Sequence, residues 1–240
     1  MKLTVLGANS ITSSRGNCAS YLIQNEKTKL VFDLGFGALP AIKKYASLDE
    51  INNIFITHYL HADHVSDLIG FLWAKKLLGF NNQLNLYGPK RLDEWLQKML
   101  DLYTIGPLPF LIKVNELSNK KFNVDSFAIT SKPVEHKDIQ ALAFRIEENG
   151  KSIVYSGDSE YCQALETISE KADLLVLDCT FKEKKSDHMT IQECIDLGLK
   201  SGTKKIMLSH LSKETEKEHT PSKKGTMQII KAKDSLELEI

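Results

Sequence analysis

The run Thr57-His58-Tyr59-Leu60-His61-Ala62-Asp63-His64 constrains this chain more than any other stretch. Three of the seven histidines and an aspartate fall between positions 58 and 64. An apolar run, Ile54-Phe55-Ile56, precedes them, and Val65–Leu78 follows with Val65, Leu68, Ile69, Leu72 and Trp73 at helical spacing. The pattern is that of a strand ending in a cluster of metal-type donors that opens a helix. Imidazole and carboxylate together suit zinc, manganese or iron, and donors gathered in one loop share an ion without the entropy of closing long loops.

The rest of the chain is scaffold for that loop. Its 240 residues fit one domain spanning 1–240, with 42% hydrophobic and 26% charged residues, as in an ordinary globular protein. The 31 basic and 31 acidic residues cancel, which argues against a surface built throughout for nucleic acid and leaves room for a local patch. No apolar run approaches the ~20 residues of a membrane span, so no membrane partner is expected. The start, Met1–Asn9, reads as a strand and a turn with nothing like a secretory signal. Cys18, Cys162, Cys179 and Cys194 show no Cys-x-x-Cys spacing, so reduced, buried thiols and a cytoplasmic protein are expected.

Periodicity and turn residues predict strands at Lys2–Leu6, Ala19–Gln24, Lys29–Asp33, Ile51–Thr57, Gln83–Tyr87, Leu111–Leu117, Phe127–Pro133, Leu142–Glu147, Ser152–Tyr155, Leu174–Leu177 and Lys205–Ser209. Asn149-Gly150 marks a hairpin. Helices are expected over Ala38–Ala46, Val65–Leu78, Pro89–Leu102, Tyr161–Ser169 and from the Thr190-x-x-Glu193 capping box to Lys200. The alternating tail segments Met227–Ile230 and Leu236–Ile240 suggest a closing hairpin. Interleaved strands and helices give an α/β protein, and the hairpins make its sheets mixed.

Outside the histidine loop, His136, Asp158, Asp178 and His210 each lie just past a predicted strand. Strand ends on one side of a sheet converge, so these side chains are candidates to meet the loop. Each taken singly has a plainer explanation: a structural histidine, or in Asp158 a helix cap.

The loop resembles the His-x-His-x-Asp-His signature of the metallo-β-lactamase superfamily. The later residues follow the same order: His136 in Pro-Val-Glu-His, Asp158 in Ser-Gly-Asp-Ser and His210 in Leu-Ser-His-Leu-Ser. Ala172–Phe181 is similar to the segment carrying the His-Glu-Ala-Thr motif of the tRNA 3′-processing endonucleases (ribonuclease Z), and Asp187-His188-Met189-Thr190 resembles their Gly-His-Ser-Thr. The resemblance covers about residues 3–212. It implies a four-layer αβ/βα sandwich, two mixed β-sheets flanked by helices, and a dinuclear site. One ion would take His58, His61 and His136, the other Asp63, His64 and His210, with Asp158 bridging. The ions would be divalent, zinc foremost, with manganese or iron also suited, and would deliver a metal-bound hydroxide to phosphorus. Asp63, Asp178 and His188 are the candidate catalytic residues, the last two as a carboxylate–imidazole pair that protonates a leaving oxygen or holds the phosphate.

Two departures matter. The family has one residue between its first two histidines; here Tyr59 and Leu60 both intervene. With His61-Ala62-Asp63-His64 aligned, Tyr59 falls where the first ligand belongs, and His58 reaches an ion only through a one-residue bulge, on which occupancy of the His58/His61/His136 site depends. The tRNA-processing enzymes also carry a long tRNA-gripping arm between the His136-type and Asp158-type ligands. Here only residues 137–157, 21 in all, separate them. A phosphodiesterase for a small or cyclic phosphodiester is therefore the leading expectation. A carboxylic-ester or lactone hydrolase, a tRNA 3′-endonuclease acting on RNA, and a non-catalytic metal-binding scaffold are the alternatives, and a homodimer is left open.

Overall fold

The computed structural model describes residues 1–185 and 187–240. Its first half builds one sheet: β1 (Lys2–Gly7), β2 (Ser20–Gln24), β3 (Lys29–Phe32), β4 (Asn53–Phe55), β5 (Leu84–Pro89) and β6 (Ile112–Leu117), with helices α1 (Ala38–Ile42), α2 (Ala62–Leu77) and α3 (Leu92–Leu102) between them. The second half builds the other: β7 (Lys120–Val124), β8 (Phe127–Val134), β9 (Ala141–Glu148), β10 (Lys151–Tyr155), β11 (Leu174–Asp178), β12 (Lys205–Ser209), β13 (Lys223–Lys224) and β14 (Met227–Lys231), with α4 (Gln163–Ser169) and α5 (Ile191–Ser201). A last strand, β15 (Glu237–Glu239), returns to pair with β1. Among the described residues the orders are β15-β1-β2-β3-β4-β5-β6 and β13-β14-β12-β11-β10-β9-β8-β7.

Strand alternation sorts each strand's residues between two cores. Leu30 and Phe32 of β3 face the second sheet while Val31 faces the helices; Val176 and Leu177 of β11 divide the same way. Strands buried on both faces must be apolar at nearly every position, and these are. The layer between the sheets is aromatic: Phe144 meets Phe32 and Phe55 edge-on at 5.6 and 5.5 Å, and Phe55 stacks on Tyr87 at 4.5 Å. Helices α1–α3 cover the first sheet and α4–α5 the second, which gives the expected four-layer metallo-β-lactamase sandwich.

Two expectations are corrected. The tail is not a hairpin: β14 runs parallel beside β12, whereas β15 crosses to the other sheet and pairs antiparallel with β1. Alternation identified both strands but not their partners, which are set by packing. Met227 seats against Gly198, where an added Cβ would lie 2.6 Å from its sulfur, and Leu238 registers with Leu3. Helix α2 also starts earlier, at Ala62, so Asp63 and His64 are in its first turn.

Strand direction puts the site at one end. Strands β10, β11 and β12 are mutually parallel, and β8 is antiparallel to β9, itself antiparallel to β10. All four therefore finish on the same side. No helix among the described residues is long and apolar enough to cross a membrane.

Candidate metal centre and active site

Asp33, at the exit of β3, anchors the histidine loop. It is fully buried and accepts four hydrogen bonds: from the Thr57 amide (2.8 Å) and hydroxyl (2.8 Å), His64 Nδ1–H (2.8 Å) and the Tyr155 hydroxyl (2.7 Å). Two glycines permit the close approach. A Cβ on Gly35 would lie 2.1 Å from the Asp63 carbonyl oxygen, and one on Gly157 would lie 2.8 Å from the Thr57 side chain. Gly157, at φ +58°, lets the chain turn so that Asp158 reaches the loop. The Leu142 amide donates to the Thr57 carbonyl (3.0 Å), joining the two sheets at this point.

After Thr57 the chain makes the bulge that the spacing requires. Tyr59 turns away, donates its hydroxyl to the Lys90 carbonyl (2.9 Å) and packs 5.5 Å from the Trp95 ring of α3. Leu60 is left 62% exposed, and His61 then returns. His58 stays fully buried, with Nε2 3.1 Å from His61 Nδ1; His136 Nε2 approaches the same atom at 3.3 Å. Asp158 Oδ2 lies 3.8 Å from the Nε2 atoms of both His58 and His136. On the other side, His64 Nε2 is 3.0 Å and His210 Nε2 3.5 Å from Asp158 Oδ1, and His210 Nε2 is 3.3 Å from Asp63 Oδ2. The structure thus brings together all seven residues singled out as candidate ligands: His58, His61, His136 and Asp158 form one group and Asp63, His64 and His210 another, while Asp158 and His210 also gather with Asp178 and His188.

The donor chemistry fits cations. His61 Nδ1 faces two other imidazole nitrogens, and one ring nitrogen cannot complement both. Both oxygens of Asp158 and Nε2 of His64 are buried with no hydrogen-bond partner among the described residues. Buried polar atoms left this way are costly unless something held between them completes their bonding. Burial, reinforced by the charge on His64, pushes the His58 imidazole well below its ordinary pKa; burial and His136 do the same to His61. Both rings therefore offer lone pairs at neutral pH. In the second group burial opposes charge but the carboxylates prevail: Asp158 and Asp33 raise His64 well above the usual range, and Asp158 with Asp178 and Asp63 raises His210 to about 10. Burial likewise opposes ionisation of Asp158, yet His210 and His64 hold it well below the carboxylate range.

The outer groups are equally ordered. His136 Nδ1–H donates to the Asp187 carbonyl (2.8 Å), which leaves Nε2 for the cluster. Thr180 donates to Asp178 Oδ1 (2.7 Å), and its oxygen lies 2.6 Å from His210 Nδ1. Asp178 Oδ2 accepts from His188 Nδ1–H at 2.6 Å, so the expected carboxylate–imidazole pair is formed. Burial works against the His188 cation, but the Asp178 charge outweighs it and raises the ring above its ordinary value. His188 stacks 5.3 Å from His210, and both line a pocket of about 660 Å³ with His61, Asp63 and Asp158. Asp33, Tyr155 and Thr180 escape the sequence analysis. Asp33 carries the same signal as the other site residues, an acid at a strand end, but enters the sequence reading only as the last residue of the strand Lys29–Asp33.

Fold and site together define a hydrolase of the metallo-β-lactamase fold with a His/Asp metal-binding cluster. The chain belongs to the family described as Anti-Pycsar protein Apyc1, which matches residues 1–236. It is similar to the ribonuclease Z of Archaeoglobus fulgidus, 26% identical over 305 residues covering 100% of this chain and 97% of that protein. It is also similar to the probable metallo-hydrolase YhfI of Bacillus subtilis, 25% identical over 221 residues covering 88% of this chain and 87% of that protein. The YhfI crystal structure superposes with a TM-score of 0.82 at 23% identity, covering 99% and 98% of the two chains. That of a diphosphatase from the PhnP family superposes with a TM-score of 0.81 at 19% identity, covering 100% and 97%.

Proposed function

We propose that this single-domain chain is a metal-dependent phosphodiesterase for a small or cyclic phosphodiester. The observation that carries the reading is the Asp178–His188 pair, closed at 2.6 Å, with His188 lining the same pocket as His61, Asp63, Asp158 and His210. His58, His61 and His136 would hold one divalent ion and Asp63, His64 and His210 the other, with Asp158 shared; zinc suits this N/O set foremost. Such ions supply Lewis acidity, a nucleophilic water at neutral pH and neutralisation of charge developing at phosphorus.

The chain's own residues do the rest. Asp33, through Nδ1, sets the His64 tautomer; the Asp187 carbonyl does so for His136. Asp178 keeps His188 protonated, so that His188 donates a proton to the leaving oxygen. Asp63, braced by the Ile11 amide at 3.2 Å, presents its carboxylate at the pocket edge. Substrate size follows from the hairpin between β9 and β10. Its register, Lys151 opposite Glu148, closes the connection through Asn149-Gly150 and leaves no room for an arm. The alignment with A. fulgidus ribonuclease Z runs over 305 positions against the 240 of this chain, so at least 65 of them (305 − 240) have no counterpart here. The family description adds a setting for the activity, that of an anti-Pycsar protein.

The test is a pair of diesters with good and poor leaving groups. His188→Ala should lower kcat on a poor (alkoxide) leaving group by about 10²–10⁴-fold, far less on p-nitrophenolate, and leave metal content unchanged. Equal losses on both would remove His188 as the acid. A fully loaded protein that cleaves lactones and no phosphodiester would transfer the assignment to the ester-hydrolase reading. Endonucleolytic cleavage of RNA, favoured by similarity to ribonuclease Z, predicts tight, salt-sensitive binding of precursor tRNA.

A further inference from the structure

The extra residue in the histidine loop does more than fit between ligands. Tyr59 is tied down by its hydrogen bond to the Lys90 carbonyl, just ahead of α3, and by its contact with Trp95 of α3, so the bulge is braced rather than slack. The brace leaves Leu60 62% exposed on the wall of the active-site pocket, next to His61. Ile11, 58% exposed, lines the same pocket and is fixed beside Asp63 by its amide hydrogen bond to Oδ2. Phe181 lines it too, its ring 5.2 Å from His188 and edge-on to it. Single exposed apolar side chains are unremarkable on a surface. Here the exposed Leu60 and Ile11 and the part-buried Phe181 stand one step from the candidate metal ligands and the candidate acid, in a pocket also lined by His61, Asp63, Asp158 and His210.

We propose that Leu60 is a specificity-determining residue: with Ile11 and Phe181 it forms an apolar rim that takes a ring carried by the substrate, while the anionic phosphoryl group sits on the donor cluster. This deepens the phosphodiesterase reading and rests on it only for the identity of the anion. Leaving Leu60 and Ile11 in water is unfavourable in the free protein, and a ring covering them recovers that free energy on binding. An aliphatic or aromatic ring is thereby preferred over a bare alkyl phosphodiester.

Binding of two non-hydrolysable anions to the metal-loaded protein, diphenylphosphinate and dimethylphosphinate, tests this by calorimetry. The wild-type protein should bind the diphenyl compound more tightly. In Leu60→Ala the ratio of the two affinities should fall about tenfold, and in Leu60→Met, which keeps the apolar volume, it should stay near the wild-type value. An unchanged ratio in Leu60→Ala overturns the proposal, as does an equal loss in Leu60→Met. Loss of metal from Leu60→Ala in step with the change also overturns it, because the residue would then serve only the loop. Phosphinate binding reads the rim without turnover, so absence of phosphodiester cleavage would overturn the proposed function and leave this ratio to be judged separately.

Discussion

Removing the Asp33 carboxylate should weaken both the fold and metal binding, by amounts the geometry sets. Asp33→Ala strands four buried donors: the Thr57 amide and hydroxyl, His64 Nδ1–H and the Tyr155 hydroxyl. Each unpaired buried donor costs about 1–3 kcal/mol, and although the costs do not add, a total of ~3 kcal/mol or more is expected. That is a large share of the ~5–15 kcal/mol that holds a domain folded. The metal effect has a separate origin. Without an acceptor at Nδ1, His64 is free to carry its proton on Nε2, the atom 3.0 Å from Asp158 Oδ1, and that tautomer cannot donate a lone pair to an ion. Loss of such support typically costs about 10–100-fold in metal affinity. Asp33→Asn should be milder: its carbonyl placed at the Oδ2 position still accepts from three donors and strands only the Thr57 amide. Urea unfolding of the chelator-treated proteins gives the stability order, and competition with a chromophoric chelator gives the metal affinity. Asp33→Ala with zinc affinity within twofold of wild type would refute the tautomer argument, and Asn as damaging as Ala would refute the hydrogen-bond count.

Two further outcomes follow from the site. His58→Ala should lower the metal content by one ion per chain while the Asp63/His64/His210 group keeps its own; an unchanged metal count by elemental analysis would show that the bulged His58 serves no ion. The metal-free protein should lose stability as pH rises from about 6.5 towards 10. His210 has a folded pKa raised to about 10, so its contribution is full below the unfolded value of 6.5 and disappears through 10. A urea midpoint of the chelated protein that climbs over that range would contradict the cross-pairing from which the shift arises.

How far the sequence reaches is clear from particular residues. His136, Asp158, Asp178 and His210 were recognisable because each interrupts an apolar strand with a donor at its end, and parallel strands bring such ends together. Tyr155 was not, because alternation marks it as a core residue, and the acceptor for its hydroxyl belongs to the other sheet, 122 positions away. The bulge was legible as a miscount between His58 and His61, but its solution was not: Tyr59 is held by Lys90 and Trp95, and only the packing of α3 shows that. Strand β7 was missed because Lys120 and Lys121 look like loop, although Phe122 and Val124 pack inward and Asp125, at φ +49°, makes the turn into β8. Local pattern identifies an element; which element it meets is decided by long-range packing.

The pairings across the site explain how so many ionisable groups are buried at one place. His64 belongs to the first half of the chain and Asp158 to the second; Asp63 belongs to the first and His210 to the second. Asp158 thus faces an imidazole from the first half of the chain, and Asp63 one from the second. This is why His64 and His210 are raised while Asp158 is lowered. Loading the site exchanges protons for metal on these imidazoles. Metal affinity must rise with pH, because the ion competes with protons on His64 and His210, and by linkage a bound ion must tighten the contact between the sheets. The aromatic layer beneath, where Phe144 of the second sheet meets Phe32 and Phe55 of the first, is the apolar counterpart of the same contact. Site and core are thus two levels of a single interface, and a substitution that loosens one is felt at the other.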